Sequence, residues 1–291
     1  MTNSNLSNWG RWGPDDQIGV LNLLQGRDKV LKAFGMVKQG KIYSLAVPLE
    51  KDGPQMPTFH KTWRVSHVAE RKDPDLSIID DVIVMETHSG THIDAIGHVW
   101  ADGQFYNGFS SDEFASSRGV ERTGIENVRH IVGRGVMLDV AAYKGVDHLQ
   151  EAEPITPDDL DGTARAQGTA LEPGDVVMIR TGWYTLFEKD RARWATSFPG
   201  PDSSVLPWLK EHDVCAIGTD HPTCELRIKV GSPEGGLPLH RYALRDLGVY
   251  ILENLDLEDL ARDRVYEFLF IGAPLRLTHA TGSPWNPLAI I

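Results

Sequence analysis

Residues 81–100 read D-V-I-V-M-E-T-H-S-G-T-H-I-D-A-I-G-H-V-W, and this stretch decides the interpretation of the whole chain. The β-branched run at 82–84 predicts a buried strand, and the residues Ser89, Gly90 and Thr91 predict that regular structure breaks immediately afterwards. Four side chains of metal-binding type follow at this strand end, namely His88, His92, Asp94 and His98.

Three imidazoles and one carboxylate so close together fit a catalytic Zn²⁺ or Mn²⁺ site. Neutral imidazole and carboxylate suit divalent ions of this kind, and a catalytic site keeps positions open for water. The competing interpretation is a polar loop whose histidines cap neighbouring strands. The density of the four residues favours the metal site.

Composition predicts a folded enzyme-sized domain. The chain has 291 residues, of which 41% are hydrophobic and 24% charged, and we expect one domain over residues 41–291 preceded by an N-terminal arm and helix over residues 1–40. The net charge of -12 argues against a nucleic-acid or anionic-membrane partner, because both need a basic surface. No secretory signal is apparent at the start, so we expect a cytoplasmic protein with a small-molecule substrate.

Two cysteines, Cys215 and Cys224, are too few for a disulfide framework. Cys215 lies in an apolar segment and is interpreted as a small buried residue. Cys224 has polar neighbours in D-H-P-T-C-E, where a thiolate would serve as a nucleophile or a metal ligand. We favour a structural role for it.

Aromatic residues outside the motif are candidates for substrate binding. Trp12 lies in the turn-rich arm W-G-P-D-D-Q-I-G, where it either lines a pocket or only anchors the arm. Residues 50–80 form a proline-containing excursion that carries Phe59 and Trp63, and long loops in compact domains are often functional. We therefore predict that Trp12, Phe59 and Trp63 contact the substrate.

Strands and helices alternate through most of the second half of the chain, which predicts an α/β class with a mixed β-sheet and flanking helices. Helices are predicted at residues 27–38, 156–167, 203–212 and 237–247. Strands are predicted at 41–47, 134–140, 175–180, 214–219, 249–255 and 265–275. The chain lacks a G-x-S-x-G elbow, an H-E-x-x-H helix, a P-loop and a strand-linked G-x-G-x-x-G, so serine-hydrolase and nucleotide-binding functions are poorly supported.

The segment H-S-G-T-H-I-D-A-I-G-H resembles the H-x-G-T-H-x-D-x-P-x-H motif of the cyclase-like metal-dependent hydrolases, a family that includes bacterial kynurenine formamidases and isatin hydrolases. Further matches in the same order are R-T-G-W at 180–183, I-G-T-D at 217–220, L-P-L-H at 237–240, I-L-E-N-L at 251–255 and A-P-L-R-L at 273–277. The arm and the excursion at 50–80 resemble the longer branch of the family. The resemblance implies a swivelling β/β/α-like cyclase fold and a homodimer or larger homo-oligomer.

The resemblance also implies the roles of individual residues. His88, His92 and Asp94 would bind one ion, Asp94 would be able to bridge to a second, and the remaining ligands would be His240 and Glu253. Without the resemblance, His240 would be interpreted as a surface residue, whereas Glu253 in an apolar strand would be anomalous without a cation. His98 would transfer protons. Ile96 replaces the proline of the motif and removes no ligand.

The function expected from this resemblance is hydrolysis of a carbon–nitrogen bond in an aryl formamide or cyclic amide by metal-activated water, with one or two Zn²⁺ or Mn²⁺ ions per subunit. A lactone or other cyclic-ester hydrolase is the alternative within the same chemistry. A non-catalytic ligand-binding homologue is the alternative from another class, and the intact ligand set disfavours it.

Overall fold

The structure is a computed structural model that describes residues 6–55, 63–72, 75–230 and 237–291. For residues 63–72 and 77 it describes the backbone alone. Strands β1 to β15 are, in order, Ile42–Ser44, Trp63–Lys72, Ser77–Met85, His92–Asp94, Ala115–Ser116, Gly119–Val120, Ile131–Asp139, Pro154–Ile155, Val176–Arg180, Gly200–Pro201, Ala216–Thr219, Tyr250–Glu253, Glu267–Gly272, Gly282–Pro284 and Leu288–Ile290. Helices α1 to α9 are Arg27–Phe34, Ser111–Phe114, Val140–Tyr143, Pro157–Gln167, Thr185–Lys189, Arg191–Trp194, Leu206–Glu211, Pro238–Tyr242 and Glu258–Asp263.

Nine of these strands form one mixed sheet in the order β1-β15-β13-β7-β9-β11-β12-β4-β14. The four central strands β7, β9, β11 and β12 run parallel to one another, and the remaining neighbours are antiparallel. Most residues of these parallel strands are apolar and buried, as expected where layers cover both faces of a sheet. The predicted α/β class with a mixed sheet and flanking helices is confirmed.

Helix α4 follows its sequence signals closely. The Thr156 hydroxyl accepts a hydrogen bond from the Asp159 amide, the Asp159 carboxylate accepts one from the Thr156 amide, and Pro157 occupies the first turn. Gly168 then ends the helix in the left-handed conformation at φ 71°. The prediction for residues 156–167 is confirmed because both ends are fixed by local contacts.

Helix α1 is shorter than predicted. It ends at Phe34 rather than near residue 38, and Leu31 and Phe34 on its predicted apolar face are about half exposed. The apolar spacing correctly indicated a helix. Part of the apolar face of this helix is open to solvent.

Strands β2 and β3 form a two-stranded antiparallel ribbon separate from the main sheet. The strand predicted at residues 82–84 exists, but the prediction that it is buried is wrong, since Val82, Ile83 and Val84 are between 45% and 59% exposed. A β-branched run reports strand propensity, whereas burial depends on whether another layer packs against it.

The N-terminal arm packs on the domain through its backbone and indole groups. Trp9 donates its indole N–H to the Arg245 carbonyl at 2.7 Å, and Asn8 donates its side-chain amide to the Leu247 carbonyl at 2.9 Å. Arg245 and Leu247 belong to a π-helical turn, Ala243–Leu247, that extends α8. Within the described ranges, no helix has both the length and the apolar character needed to cross a bilayer.

Candidate metal centre

Two neighbouring strands supply three of the predicted ligands. In the antiparallel pair of β4 with β12, His92 lies directly opposite Glu253, and Asp94 lies two positions further along β4. Residues at alternate positions of a strand share one face, so this register brings the three side chains together. Regular structure breaks at Ser89, Gly90 and Thr91, as the sequence predicted, and the short strand β4 that follows carries His92 and Asp94.

The other three residues come from turns and a helix. His88 lies in the turn before β4, and His98 lies just after it, where its amide donates to the Ala95 carbonyl at 2.9 Å. The rings of His88 and His98 are 4.1 Å apart between centroids. His240 lies on α8 and is only 5% exposed, so the interpretation of this residue as a surface histidine is wrong.

Asp94 lies at the centre of the cluster, and its two carboxylate oxygens face different partners. Its Oδ1 is 2.7 Å from Nδ1 of His88 and 3.5 Å from Nε2 of His92. Its Oδ2 is 3.6 Å from Nε2 of His240. One oxygen of Asp94 therefore faces His88 and His92, and the other faces His240.

Glu253 completes the arrangement from the opposite side. Its Oε1 lies 3.1 Å from Nε2 of His240, and its Oε2 lies 3.2 Å from Nε2 of His92. Among the described residues, potential ligand atoms fall into two groups, each with its atoms within 4.8 Å of one another: His88, His92 and Asp94 form the first group, and Asp94, His240 and Glu253 form the second. Imidazole nitrogens with carboxylate oxygens suit Zn²⁺ or Mn²⁺, so the residues present fit a divalent ion.

The buried carboxylates and imidazoles of the cluster shift one another's pKa values. Burial alone would raise the pKa values of Asp94 and Glu253, but the surrounding imidazoles hold both below their usual range. Burial alone would lower the pKa values of His92 and His240, but hydrogen-bonded carboxylates raise both. His98 differs, because burial lowers its pKa to about 4 and leaves the imidazole neutral near pH 7.

Contacts on the outer side of the rings fix their orientations. Nδ1 of His92 lies 2.9 Å from the Gly90 carbonyl, and Nε2 of His88 lies 3.0 Å from the Thr281 hydroxyl. Nδ1 of His240 lies 2.5 Å from Oε1 of Glu225. Each ring is thereby held with its other nitrogen toward the cluster, which is the usual arrangement of histidines that bind metals.

The cluster lines a cleft of about 290 Å³. Residues not predicted from the sequence complete its wall, namely Pro222, Thr223, Arg227 and Leu237. The polar Asp220–His221 segment at the end of β11 was the available signal for this wall. Two larger clefts, of about 430 and 620 Å³, lie away from the cluster, so volume alone does not identify the site.

Of the three predicted substrate-binding aromatics, only Trp12 has a described side chain. Trp12 is partly buried against the main core, beside the Arg11 guanidinium, and does not line the cleft. Phe59 lies outside the described residues. Trp63 begins β2, opposite Met85, but its side chain is outside the description. The substrate-binding role of all three stays a prediction.

Both cysteines are buried and free. The Cys224 Sγ lies 3.7 Å from the Ile217 carbonyl, and burial with nearby carboxylates raises the pKa of the thiol well above its ordinary value. Burial likewise raises the pKa of Cys215. A buried thiol that stays protonated is a poor nucleophile, which agrees with the structural interpretation of Cys224.

A family model described as "Putative cyclase" matches residues 43–225 of the chain, a range that includes His88, His92, Asp94 and His98. The chain belongs to this cyclase family. The match ends before His240 and Glu253, so their association with the motif rests on the geometry given above.

Comparisons with other proteins agree with this assignment. A crystal structure of a protein described as a novel cyclase superimposes with a TM-score of 0.90 at 34% identity, covering 100% of this chain and 99% of that one. The kynurenine formamidase of Geobacillus thermodenitrificans is 28% identical over 205 residues, which are 69% of this chain and 75% of that protein. The isatin hydrolase of Roseibium aggregatum is 26% identical over 221 residues, which are 72% of this chain and 73% of that protein.

Proposed function

We propose that this cyclase-family protein is a metal-dependent hydrolase that cleaves a carbon–nitrogen bond in an aryl formamide or a cyclic amide. The observation that carries the proposal is the position of Asp94, whose two oxygens face two separate sets of ligand atoms at the wall of an open cleft. The names of the relatives, kynurenine formamidase and isatin hydrolase, support the substrate class.

The cluster residues would hold one or two Zn²⁺ or Mn²⁺ ions. When bound, such an ion polarises a carbonyl and lowers the pKa of a coordinated water into the neutral range. Asp94 and Glu253 contribute negative charge that is buried and held by the surrounding imidazoles, so the site is organised before a cation enters. The small-molecule substrate would enter through the cleft wall formed by Thr223, Arg227 and Leu237.

His98 is the candidate for proton transfer. It lines the cleft beside His88 and is nearly buried, and neither metal-binding group includes it. A neutral imidazole at this position can accept a proton from the attacking water and deliver it to the leaving nitrogen. The same residue would serve a lactone hydrolase, in which the leaving atom is oxygen.

A hydrolysis screen tests the proposal. Protein reconstituted with Zn²⁺ or Mn²⁺ is assayed against N-formylkynurenine, isatin, a cyclic imide and a lactone at matched concentrations. We expect the highest kcat/KM on an aryl formamide or cyclic amide. A clear preference for the lactone would favour the alternative hydrolase, and binding without turnover of all four would indicate a ligand-binding protein.

A further inference from the structure

Glu225 is a buried acid next to the metal cluster, although it belongs to neither group of potential ligand atoms. It is 1% exposed, and both of its carboxylate oxygens are engaged. Oε1 lies 2.5 Å from Nδ1 of His240, and Oε2 accepts a hydrogen bond from the Leu239 amide at 2.9 Å. A single carboxylate thus contacts both the ring of His240 and the backbone of the helix that carries it.

The backbone of Glu225 is itself fixed, which makes this carboxylate a rigid support. The Glu225 amide donates to the Thr223 carbonyl, and the Thr223 hydroxyl donates to the Glu225 carbonyl at 2.8 Å. The next residue, Leu226, donates its amide to the Pro201 carbonyl at 3.1 Å. The segment is therefore held on both sides of Glu225 before any ion binds.

The partner on the outer side of the His240 ring differs in charge from the partners on the outer sides of the His88 and His92 rings. Nδ1 of His92 faces a backbone carbonyl, and Nε2 of His88 faces a hydroxyl, so both of these partners are neutral. Nδ1 of His240 faces an acid. An N–H donated to a carboxylate fixes the tautomer that presents the opposite nitrogen and makes that nitrogen a stronger donor to a metal.

We propose that Glu225 is a positioning residue that acts through His240 and sets the affinity of the Asp94–His240–Glu253 group for a divalent ion. This inference depends on the proposed function in one respect, namely that the site binds a divalent ion. The affinity of the His88–His92–Asp94 group is set by other contacts and does not depend on Glu225.

The test is a calorimetric titration of Zn²⁺, and separately of Mn²⁺, into chelator-stripped protein. Glu225→Gln keeps the shape of the side chain and one acceptor oxygen, and Glu225→Ala removes the contact. We expect one binding event to weaken by about 10- to 100-fold in Glu225→Gln and by more in Glu225→Ala, with the other event unchanged. The absorption spectrum of the Co²⁺-loaded Glu225→Gln protein should also shift relative to that of the wild type.

A matched control separates this role from the general loss of a buried acid. Asp175 is 2% exposed, accepts the Glu172 amide at 2.8 Å and faces the Arg134 guanidinium, and it precedes β9 at the opposite end of the sheet. Asp175→Asn should leave both binding events unchanged. Thermal unfolding of the metal-free proteins detects any variant whose fold is damaged.

A double-mutant cycle decides whether Glu225 acts through His240. In a His240→Ala background, Glu225→Gln should change the remaining affinity by less than about twofold, and in a His92→Ala background it should retain its full effect. The inference would be overturned if both Glu225 variants bound the ions with unchanged affinity. It would also be overturned if Glu225→Gln had its full effect on affinity in the His240→Ala background. If the wild type binds no divalent ion, the proposed function fails as well, and that result is seen before any variant is compared.

Discussion

Asp94 and Glu225 show what a sequence motif reports at the scale of single residues. Four residues of the candidate site, His88, His92, Asp94 and His98, were found because they lie within one short stretch. Glu225 was missed because its role depends on a contact with a ring fifteen positions away along the chain and on complete burial, neither of which has a local signal.

Replacing a residue of the first ligand group should lower metal content and abolish activity together. His88→Ala, His92→Ala and Asp94→Ala each delete an atom that would bind the ion, and Asp94→Ala should have the largest effect because Asp94 belongs to both groups. Elemental analysis and turnover are measured on the same preparations. Full metal occupancy in a variant that carries all three substitutions would contradict the assignment of the site.

His98→Ala should show the opposite pattern to the ligand variants. Because His98 lies outside both ligand groups, the variant should keep its metal while turnover falls by about 10² to 10⁴, the usual range for general acid–base catalysis. Loss of metal comparable with that of His92→Ala would reassign His98 as a ligand. Unchanged turnover at full metal occupancy would remove it from the mechanism.

Cys224→Ser should keep turnover within a few-fold of the wild type. The thiol is fully buried, its pKa is raised by that burial, and the proposed chemistry needs no thiolate. Steady-state kinetics with measured metal content test this directly. A loss of about 10³ with metal still bound would show that the structural interpretation is wrong.

For helices and strands, local sequence signals predicted the ends of an element correctly, whereas the sequence did not predict which faces are buried. The ends of α4 were predicted because Thr156 and Gly168 act within one turn of the helix. The burial of β3 was predicted wrongly, because a run of β-branched residues does not reveal what covers it. Strand β3 of the ribbon instead presents Ile79 and Ile83 to solvent, and Leu76 just before β3 is exposed as well, each to at least 59%.

An isolated two-stranded ribbon is marginally stable in water, so an apolar one is expected to be covered by another chain. The cyclase resemblance predicts a homo-oligomer, and an apolar groove of about 620 Å³ that includes Ile83 and Met85 continues the ribbon surface. We expect light scattering to give a mass at least twice the 32.3 kDa of one chain. The double variant Ile79→Lys with Ile83→Lys places two charges on one face of β3 and should lower that mass toward 32.3 kDa.

Leu31→Lys is the matched control for the ribbon variant, because Leu31 is 55% exposed on α1, away from the ribbon. It should leave the mass unchanged. A wild-type chain that runs as a monomer, or a ribbon variant that keeps the wild-type mass, would contradict self-association through this surface.

At the scale of the whole molecule, the fold class was predictable but the strand order was not. Alternating helices and strands indicated a mixed α/β sheet, and this is observed. The position of β4 between β12 and β14 brings together residues about 160 positions apart in the sequence, since His92 pairs with Glu253. Strand pairing between segments so far apart leaves no periodic pattern in the sequence of either one. Before the structure, only the family resemblance connected His92 with Glu253.

The metal dependence of hydrolysis tests the central claim most directly. Turnover of N-formylkynurenine and isatin is measured before chelation, after chelation with dialysis, and after stepwise return of Zn²⁺ or Mn²⁺, with metal content determined at each step. We expect hydrolysis to be lost with the metal and to return in proportion to the ion bound, and we expect no recovery in Asp94→Ala. Undiminished hydrolysis by metal-free protein would show that the protein is not a metal-dependent hydrolase.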